Sequence, residues 1–337
     1  MTDNTWPTVD TELIDDVTLY SAKLIIPVTG PVIIDGAVAI HGDRVVHVGK
    51  RRWVLKALKQ EMTAHGTIHE RHWDGVLTPG LINAHTHLQY SGMVQVGQGT
   101  YDRFRAWELA FNEVYAEAQK TQPWKQWAED GARQMVESGT TAAADIVTDL
   151  DAAGALASQG MHGIAYWEVM GWHNAEWMEK GRTELIRQLR RMNEEQLPNL
   201  GISPHAPYTL ESEPFVDLPD IARQLNMRLH IHLAETPLEA GTYPPVLTTY
   251  SAADWSDHDW ESYRQLKEVG KGASAIQFVD QLGSLGPDVH IAHGVWANGE
   301  DRRILRQRGV GVALCPRSNR ITNTGKDLSL IHISEPT

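Results

Sequence analysis

Two histidines separated by one residue carry the clearest chemical signal in the sequence. His85 and His87 end the apolar run in the segment TPGLINAHTHLQYSG. Residues i and i+2 of a β-strand project to the same side, so both imidazoles are expected to face the lumen of a barrel. Neutral imidazole is a natural ligand of Zn²⁺ or Fe²⁺. The pair alone is weak support for a metal site, because the chain contains 16 histidines.

Other histidines end apolar runs of the same kind. His232 ends RLHIH and is followed three residues later by Glu235, His293 ends VHIAH, and His205 follows LGISP. Each of them, taken alone, is more often a core histidine than a ligand. Their joint placement at the carboxyl ends of separate predicted strands indicates one site, because α/β-barrel active sites lie at that end. His230 shares a strand face with His232 and is expected to have a structural role deeper in the lumen.

Seven short apolar runs are the expected parallel strands that position these residues. They are VLTPGLINA, TTAAADIV, HGIAYWEVM, LGISPHA, RLHIHLAE, VHIAHGV and VGVALCP. Amphipathic stretches lie between them, at Trp107–Gln119, Trp124–Ser138, Asn174–Glu195, Pro214–Leu225 and Ser262–Leu282. Repeated βα units are typical of a doubly wound sheet or a (β/α)₈ barrel. Seven strands are one short of a closed barrel.

The first part of the chain has a different pattern. Residues 17–76 contain β-branched, partly alternating runs broken by turn signals at residues 34–36 and 41–43, which predicts short strands. We therefore expect an N-terminal segment with a small β domain at residues 1–75, a barrel at 76–327 and a tail at 328–337.

Composition excludes several classes of protein. The 337 residues carry 30 Lys and Arg against 43 Asp and Glu, a net charge of −13, so no nucleic-acid partner is expected. The single cysteine, Cys315, excludes an internal disulfide framework. The N-terminus is acidic and polar, unlike a signal peptide, and no apolar run approaches 18 residues. A cytoplasmic protein without a membrane partner is expected, and self-association is left open.

Other catalytic templates do not fit the sequence. It contains no G-x-S-x-G, no G-x-x-x-x-G-K-[ST] and no G-x-G-x-x-G motif. Cys315 would act as a nucleophile only with a base beside it, and an inert buried thiol is the favoured alternative.

The motifs PGLINAHTHL, SPHAPYT, HLAET, HIAHG and LCPRSN together resemble the amidohydrolase superfamily, in its cytosine deaminase/chlorohydrolase-like branch. The resemblance covers roughly residues 16–320. It implies an α/β fold of the (β/α)₈ TIM-like type, and a small N-terminal β domain that forms half of a composite β-sandwich. Within the branch, HTHLQYSG, DIVTD and AYWEVMGW look like deaminases that hydrolyse the 6-amino group of aminodeoxyfutalosine, a nucleoside of menaquinone biosynthesis.

The resemblance also implies a cofactor and its ligands. One divalent metal ion, Zn²⁺ as the expected ion and Fe²⁺ as the alternative, would be bound by His85, His87 and His232. A bound divalent metal lowers the pKa of water from about 15.7 to about 7, which supplies a nucleophile at neutral pH.

Further residues match positions that act on the substrate in the family. Glu235 matches the proton shuttle, His293 matches the histidine that orients the attacking water, and His205 matches a substrate-contacting histidine. A carboxyl group close to the water can take its proton and deliver protons to the purine ring and to the departing amine.

Substrate contacts are also expected near the ends of the third and seventh strands. Glu168 and Trp172 could contact ribose hydroxyls and an aromatic ring, with a capping carboxylate and a packing indole as equal alternatives. Arg317, Ser318 and Asn319 follow the seventh strand at the end of the barrel where substrate would bind.

One part of the family pattern is missing from the sequence. The family has an aspartate ligand after an eighth strand, in a G-T-D-S-like motif, whereas this chain reads KDLSLIHISEPT after Gly325. We expect a truncated, inactive form of a deaminase. The alternatives are a deaminase or chlorohydrolase of another adenine, guanine or triazine compound, and a protein that binds ligand without catalysis.

Overall fold

The computed structural model describes residues 13–194, 197, 199–241, 266 and 268–325. It divides the chain into two compact units between Gly80 and Leu81. The sequence predicts that the apolar run VLTPGLINA forms one strand, and this prediction is wrong. Val76 and Leu77 end the last strand of the first unit, and Leu81 begins the first strand of the second.

The first unit contains one four-stranded sheet and one helix. Its elements are β1 (Ile14–Ile25), β2 (Ile33–His41), β3 (Arg44–Lys50), α1 (Arg51–Glu61) and β4 (Met62–Leu77). The sheet order is β3-β2-β1-β4, with β1 antiparallel to β2 and parallel to β4. The turn predicted at residues 41–43 joins β2 to β3, and Gly42 adopts a positive φ of 59° there.

Two expectations for this unit are wrong. The predicted turn at 34–36 lies inside β2, where Asp35 has a φ of 50°. The helix α1 was not predicted in a region read as strands only. It forms because Val54 and Leu58, four residues apart, share one face and are buried against the sheet, while basic residues cover the other face.

The second unit is a nearly closed parallel barrel. Its seven described strands follow in sequence order around the sheet, with one seam between the first and the last, as the sequence predicts. They are β5 (Leu81–Thr86), β6 (Thr140–Val147), β7 (His162–Val169), β8 (Leu200–Pro204), β9 (Arg228–Leu233), β10 (Val289–His293) and β11 (Gly311–Ala313). The prediction about a missing eighth strand falls on residues 326–337, outside the described residues.

Helices lie between these strands in the described ranges. They are α2 (Val94–Gln98), α3 (Phe104–Ala118), α4 (Trp124–Glu137), α5 (Ala155–Ser158), α6 (Asn174–Glu176), α7 (Arg182–Glu194), α8 (Ser212–Gln224), α9 (Ala275–Gln281), α10 (Gly299–Arg308) and α11 (Pro316–Ile321). One π-helical turn, Trp177–Gly181, joins α6 to α7. The amphipathic stretch at Ser262–Leu282 is interrupted in its described part, because Lys271 and Gly272 have φ values of 53° and 78° and Ser274 caps α9 as a new helix. Residues 262–265 and 267 lie outside the described residues.

The strands form the centre of the barrel core. Alternate residues of β9, such as Leu229, Ile231 and Leu233, are fully buried and belong to the same apolar cluster as Phe215 and Leu218 of α8. Parallel pairing sets Ala292 of β10 opposite His232 of β9. The functional side chains at adjacent strand ends therefore lie at one level. Among the helices of the described residues, none is long and apolar enough to cross a membrane.

Candidate metal centre and active site

The three histidines expected to bind metal converge at the carboxyl ends of β5 and β9. One ring nitrogen from each of His85, His87 and His232 lies within 4.8 Å of the other two. The Nε2 atoms of His87 and His232 are 3.3 Å apart. Two nitrogens that bind one tetrahedral ion at 2.0–2.1 Å lie about 3.3–3.4 Å from each other, so the observed separation fits a zinc site.

The electrostatics of the cluster also suit a metal. Burial lowers the pKa of His87 to about 4. Burial, and then the neighbouring His87, hold the pKa of His85 well below its usual range, and His232 is affected in the same way by burial and His205. The rings are therefore neutral at physiological pH and offer lone pairs, which a divalent cation can bind.

His230 contacts His85, the first histidine of the cluster. Its Nε2 is 3.0 Å from Nδ1 of His85, and the two rings stack with centroids 4.9 Å apart. Burial lowers the pKa of His230 to about 3, so the contact is between two neutral rings. A hydrogen bond at Nδ1 of His85 directs its Nε2 toward the metal centre, a common role of the outer partner of a metal-binding histidine.

Asp145 of β6 holds the backbone next to His87. Its Oδ1 accepts a hydrogen bond of 2.8 Å from the backbone N–H of Leu88, the residue after His87. Burial raises the pKa of Asp145 to about 8. Sequence reasoning did not assign this residue a role, because its contact joins two strands.

Glu235 and His293 face each other beside the cluster of His85, His87 and His232. His293 Nε2 lies 3.5 Å from Oε1 of Glu235, and the rings of His232 and His293 have centroids 5.6 Å apart. The hydroxyl of Tyr208 donates a hydrogen bond of 3.2 Å to the other oxygen of Glu235. Tyr208 also was not singled out from the sequence. The carboxyl group is thus held between a phenol and an imidazole, both of which can exchange protons.

A second carboxylate shapes the turn that presents Glu235. The side chain of Glu239 is fully buried and accepts backbone N–H bonds from Ala234, Glu235 and Thr236 at 2.8, 2.9 and 2.9 Å. Ala234 has a φ of 54° in this turn. The spacing Thr236-x-x-Glu239 is a capping-box pattern, a signal in the sequence by which the turn could have been found.

His205 and Glu168 both lie near Nδ1 of His232. The backbone carbonyl of His205 is 3.1 Å from Nδ1 of His232, and a carboxylate oxygen of Glu168 is 3.9 Å from the same nitrogen. Burial raises the pKa of Glu168 to about 8. Nδ1 of His205 is 2.8 Å from the hydroxyl oxygen of Thr209. The structure thus brings both residues to the centre.

A cavity of about 420 Å³ opens beside His85. Its lining residues come from the ends of β5 and β11 and from α3 and α11, and include Asn83, His85, Trp107, Arg317, Ser318 and Thr322. Trp172 does not line this cavity. Its ring packs against Trp177 with centroids 6.1 Å apart, and its substrate role stays a prediction. The substrate role of Ser318 stays a prediction at a site that can hold a ligand.

Asn319 does not line the cavity with Ser318. It is 1% exposed, its Oδ1 is 2.7 Å from Nδ1 of His293, and its Nδ2 donates a hydrogen bond of 2.7 Å to the carbonyl of Leu314. Cys315 places its sulfur within 4.8 Å of donor atoms of His85 and His293, and the thiol donates to the carbonyl of Ala313.

Comparison with known proteins identifies the family. Residues 76–243 match the model of the amidohydrolase family. The chain belongs to this family. A 5-methylthioadenosine/S-adenosylhomocysteine deaminase of Thermococcus kodakarensis is 30% identical over 250 residues, which are 72% of this chain and 52% of that protein. The chain spans about half to three fifths of the length of the curated relatives it matches.

Solved structures of other amidohydrolases have the same fold. Aminofutalosine deaminase of Helicobacter pylori, in complex with methylthio-coformycin, aligns with a TM-score of 0.71 at 18% identity, over 94% of this chain and 74% of that chain. Atrazine chlorohydrolase of Arthrobacter aurescens, complexed with zinc, also gives 0.71, at 17% identity, over 94% and 69%. The resemblance inferred from the sequence motifs is confirmed for the family and for the barrel.

Proposed function

We propose that the protein is a metal-dependent deaminase that hydrolyses the 6-amino group of an adenine nucleoside. The observation that carries this proposal is the placement of the Glu235–His293 pair, 3.5 Å apart, beside the cluster of His85, His87 and His232. A metal ligand set next to a paired acid and base suits the hydrolysis of a C–N bond. The relatives named as nucleoside deaminases support the same reaction class.

The three histidines of the cluster would hold the ion, with Zn²⁺ as the proposed metal and Fe²⁺ as the alternative. Bound there, the ion supplies a water molecule whose pKa lies near 7 instead of about 15.7. Glu235 would take one proton from that water and deliver it to N1 of the purine, and would then move the proton of the hydroxyl group added at C6 to the departing amine, which leaves as ammonia. Tyr208 holds the other carboxylate oxygen, and His293 Nε2 orients the attacking oxygen through a hydrogen bond.

Aminodeoxyfutalosine is the proposed substrate, because the segments HTHLQYSG and AYWEVMGW resemble the deaminases of that nucleoside. A second candidate class is 5′-substituted adenosines. The names of the relatives, 5-methylthioadenosine/S-adenosylhomocysteine deaminase and 5′-deoxyadenosine deaminase, favour it. The cavity of about 420 Å³ falls within the range of small-molecule sites.

Turnover of the full chain tests the proposal. The zinc-loaded protein is assayed side by side for ammonia release from aminodeoxyfutalosine, S-adenosylhomocysteine and 5-methylthioadenosine, and for chloride release from atrazine. Preferred release from aminodeoxyfutalosine supports the first candidate, and preference for the adenosines supports the second. Glu235→Gln should abolish turnover and retain zinc, whereas the exposed Glu300→Gln should change neither. Zinc binding with no turnover of any compound would refute an active deaminase and leave a truncated, inactive deaminase and a non-catalytic binding protein as the alternatives.

A further inference from the structure

The orientation of the Asn319 side chain is determined by a backbone group. The carbonyl of Leu314 can only accept a hydrogen bond, so the atom of Asn319 that lies 2.7 Å from it must be the amide nitrogen. The amide oxygen is then the atom that faces Nδ1 of His293, also at 2.7 Å. An amide oxygen can only accept, so Nδ1 of His293 carries a hydrogen atom and donates it.

This contact decides the chemistry of the other ring nitrogen. A neutral imidazole has one N–H, so a hydrogen atom on Nδ1 leaves Nε2 of His293 as an acceptor. Nε2 is the nitrogen that lies 3.5 Å from Glu235. In the neutral ring, the side that faces Glu235 therefore accepts a hydrogen bond, for example from the attacking water.

The backbone around both residues is held firmly. His293 has a φ of 76°, a strained conformation for a residue other than glycine that persists only where surrounding contacts enforce it. The next residues are tied to the turn after β9, by Gly294 N–H to Leu233 carbonyl at 2.9 Å and Trp296 N–H to Ala234 carbonyl at 2.8 Å. The ring is thus brought to Asn319 by the fold itself.

Asn319 is equally fixed on its own side. Its N–H donates to the carbonyl of Cys315 at 3.0 Å, and its carbonyl accepts from the N–H of Thr324 at 3.2 Å. Its side chain is 1% exposed, and it is absent from the lining of the cavity that Ser318 shares. These contacts suit a residue that acts through His293 better than one that binds substrate.

We propose that Asn319 is a positioning residue that fixes His293 as the Nδ1–H tautomer and keeps its Nε2 as an acceptor toward Glu235 and the attacking water. The tautomer follows from the hydrogen bonds alone. The effect on rate rests on the proposed deaminase function.

Nuclear magnetic resonance tests the tautomer without any turnover. Two-bond ¹H–¹⁵N correlation spectra of the zinc-loaded, histidine-labelled full chain distinguish the two tautomers, and loss of one signal in His293→Gln assigns it. The wild-type protein should show hydrogen on Nδ1. Hydrogen on Nε2 in the wild-type protein overturns the proposal, whatever the variants do.

Two variants and one control test the role of Asn319. Asn319→Leu removes the acceptor and should release His293 from the Nδ1–H tautomer. Asn319→Asp keeps an acceptor oxygen toward the ring and should retain that tautomer. Asn226→Asp, the same exchange at an exposed site, should leave the spectrum unchanged. An unchanged tautomer in a folded Asn319→Leu protein would overturn the proposal.

Kinetics separate positioning from substrate binding. If the chain deaminates a nucleoside, Asn319→Leu should lower kcat by about 10- to 100-fold with little change in KM, and Asn319→Asp should recover part of the loss. A rise in KM with kcat unchanged would contradict the proposal and assign Asn319 to substrate contact. An inactive wild-type chain would count against the proposed function and leave the tautomer result standing.

Discussion

The turn that presents Glu235 is expected to depend on a single buried side chain, Glu239. Both of its oxygens accept backbone N–H groups, one from Ala234 and the other from Glu235 and Thr236. Glu239→Gln keeps the shape and volume of the side chain and replaces one oxygen with an NH₂ group. It therefore tests the hydrogen bonds without creating a cavity.

The cost can be worked out from these contacts. The glutamine keeps most bonds if its oxygen faces Glu235 and Thr236, which leaves the N–H of Ala234 opposite an amide NH₂ group. A buried N–H left without an acceptor costs about 1–3 kcal/mol. Burial raises the pKa of Glu239 to about 8, so no further contribution from a charged acceptor is counted at pH 7. We expect the free energy of unfolding to fall by about 1–3 kcal/mol.

Urea denaturation at pH 7 measures this difference, with the exposed Glu300→Gln as a matched control that should behave as wild type. Zinc content should be unchanged, because His232 lies on β9 before the turn. The value of kcat should fall by about 10- to 100-fold, since a carboxylate displaced by about 1 Å loses its alignment. A Glu239→Gln protein with wild-type stability and wild-type kcat would refute the idea that this carboxylate shapes the site.

Three further predictions follow from the titratable groups and the ligands. His232→Ala should reduce bound zinc from one equivalent to near none by mass spectrometry, because the 3.3 Å nitrogen pair is lost. Burial raises the pKa of Asp145 to about 8, so the folded protein holds the carboxyl proton of Asp145 more tightly than the unfolded chain does. The free energy of unfolding therefore falls as pH rises from about 4 to 8. Asp145→Asn should remove this part of the pH dependence of stability, measured by urea denaturation across the same range. A hydrogen bond from Arg51 lowers the pKa of Glu70 to about 2, so its stabilisation is present above about pH 4.5 and is lost as pH falls toward 2; Glu70→Gln should remove this acid-dependent part in a circular dichroism titration.

The sequence was sufficient for the architecture of the barrel and for the position of the site. Strands that alternate with helices must be parallel, and parallel strands bring their carboxyl ends to one rim. Histidines that end several such runs therefore had to meet, as His85, His232 and His293 do. The alternation of side chains along a strand and the position of a strand end are local properties, so they can be predicted from a single sequence.

Other features of the site were not accessible from the sequence, because they depend on contacts between distant segments. Asn319 looked like a substrate contact because it follows a strand end, and only the tertiary structure shows that its amide lies against His293. Tyr208 and Glu235 are 27 residues apart, and their hydrogen bond needs β8 beside β9. The break before α9 was not predicted for a different reason. The amphipathic pattern of the sequence continues through Lys271 and Gly272, although the positive φ values of these two residues interrupt the helix.

The ends of β9, β10 and β11 show how this barrel positions its polar side chains. A residue other than glycine with positive φ lies at or just after each end: Ala234 at 54° follows β9, His293 at 76° ends β10, and Cys315 at 52° lies two residues after β11. Such conformations cost about 1–3 kcal/mol each and persist only where surrounding contacts enforce them. Here the contacts are buried polar ones, a carboxylate for the first turn and an asparagine for the other two. Each strained turn directs the chain sharply at the rim, so that Glu235, the His293 ring and the residues after Cys315 are set by backbone hydrogen bonds. Substitutions of Glu239 and Asn319 should therefore alter the site more than substitution of Ser318, which lines the cavity.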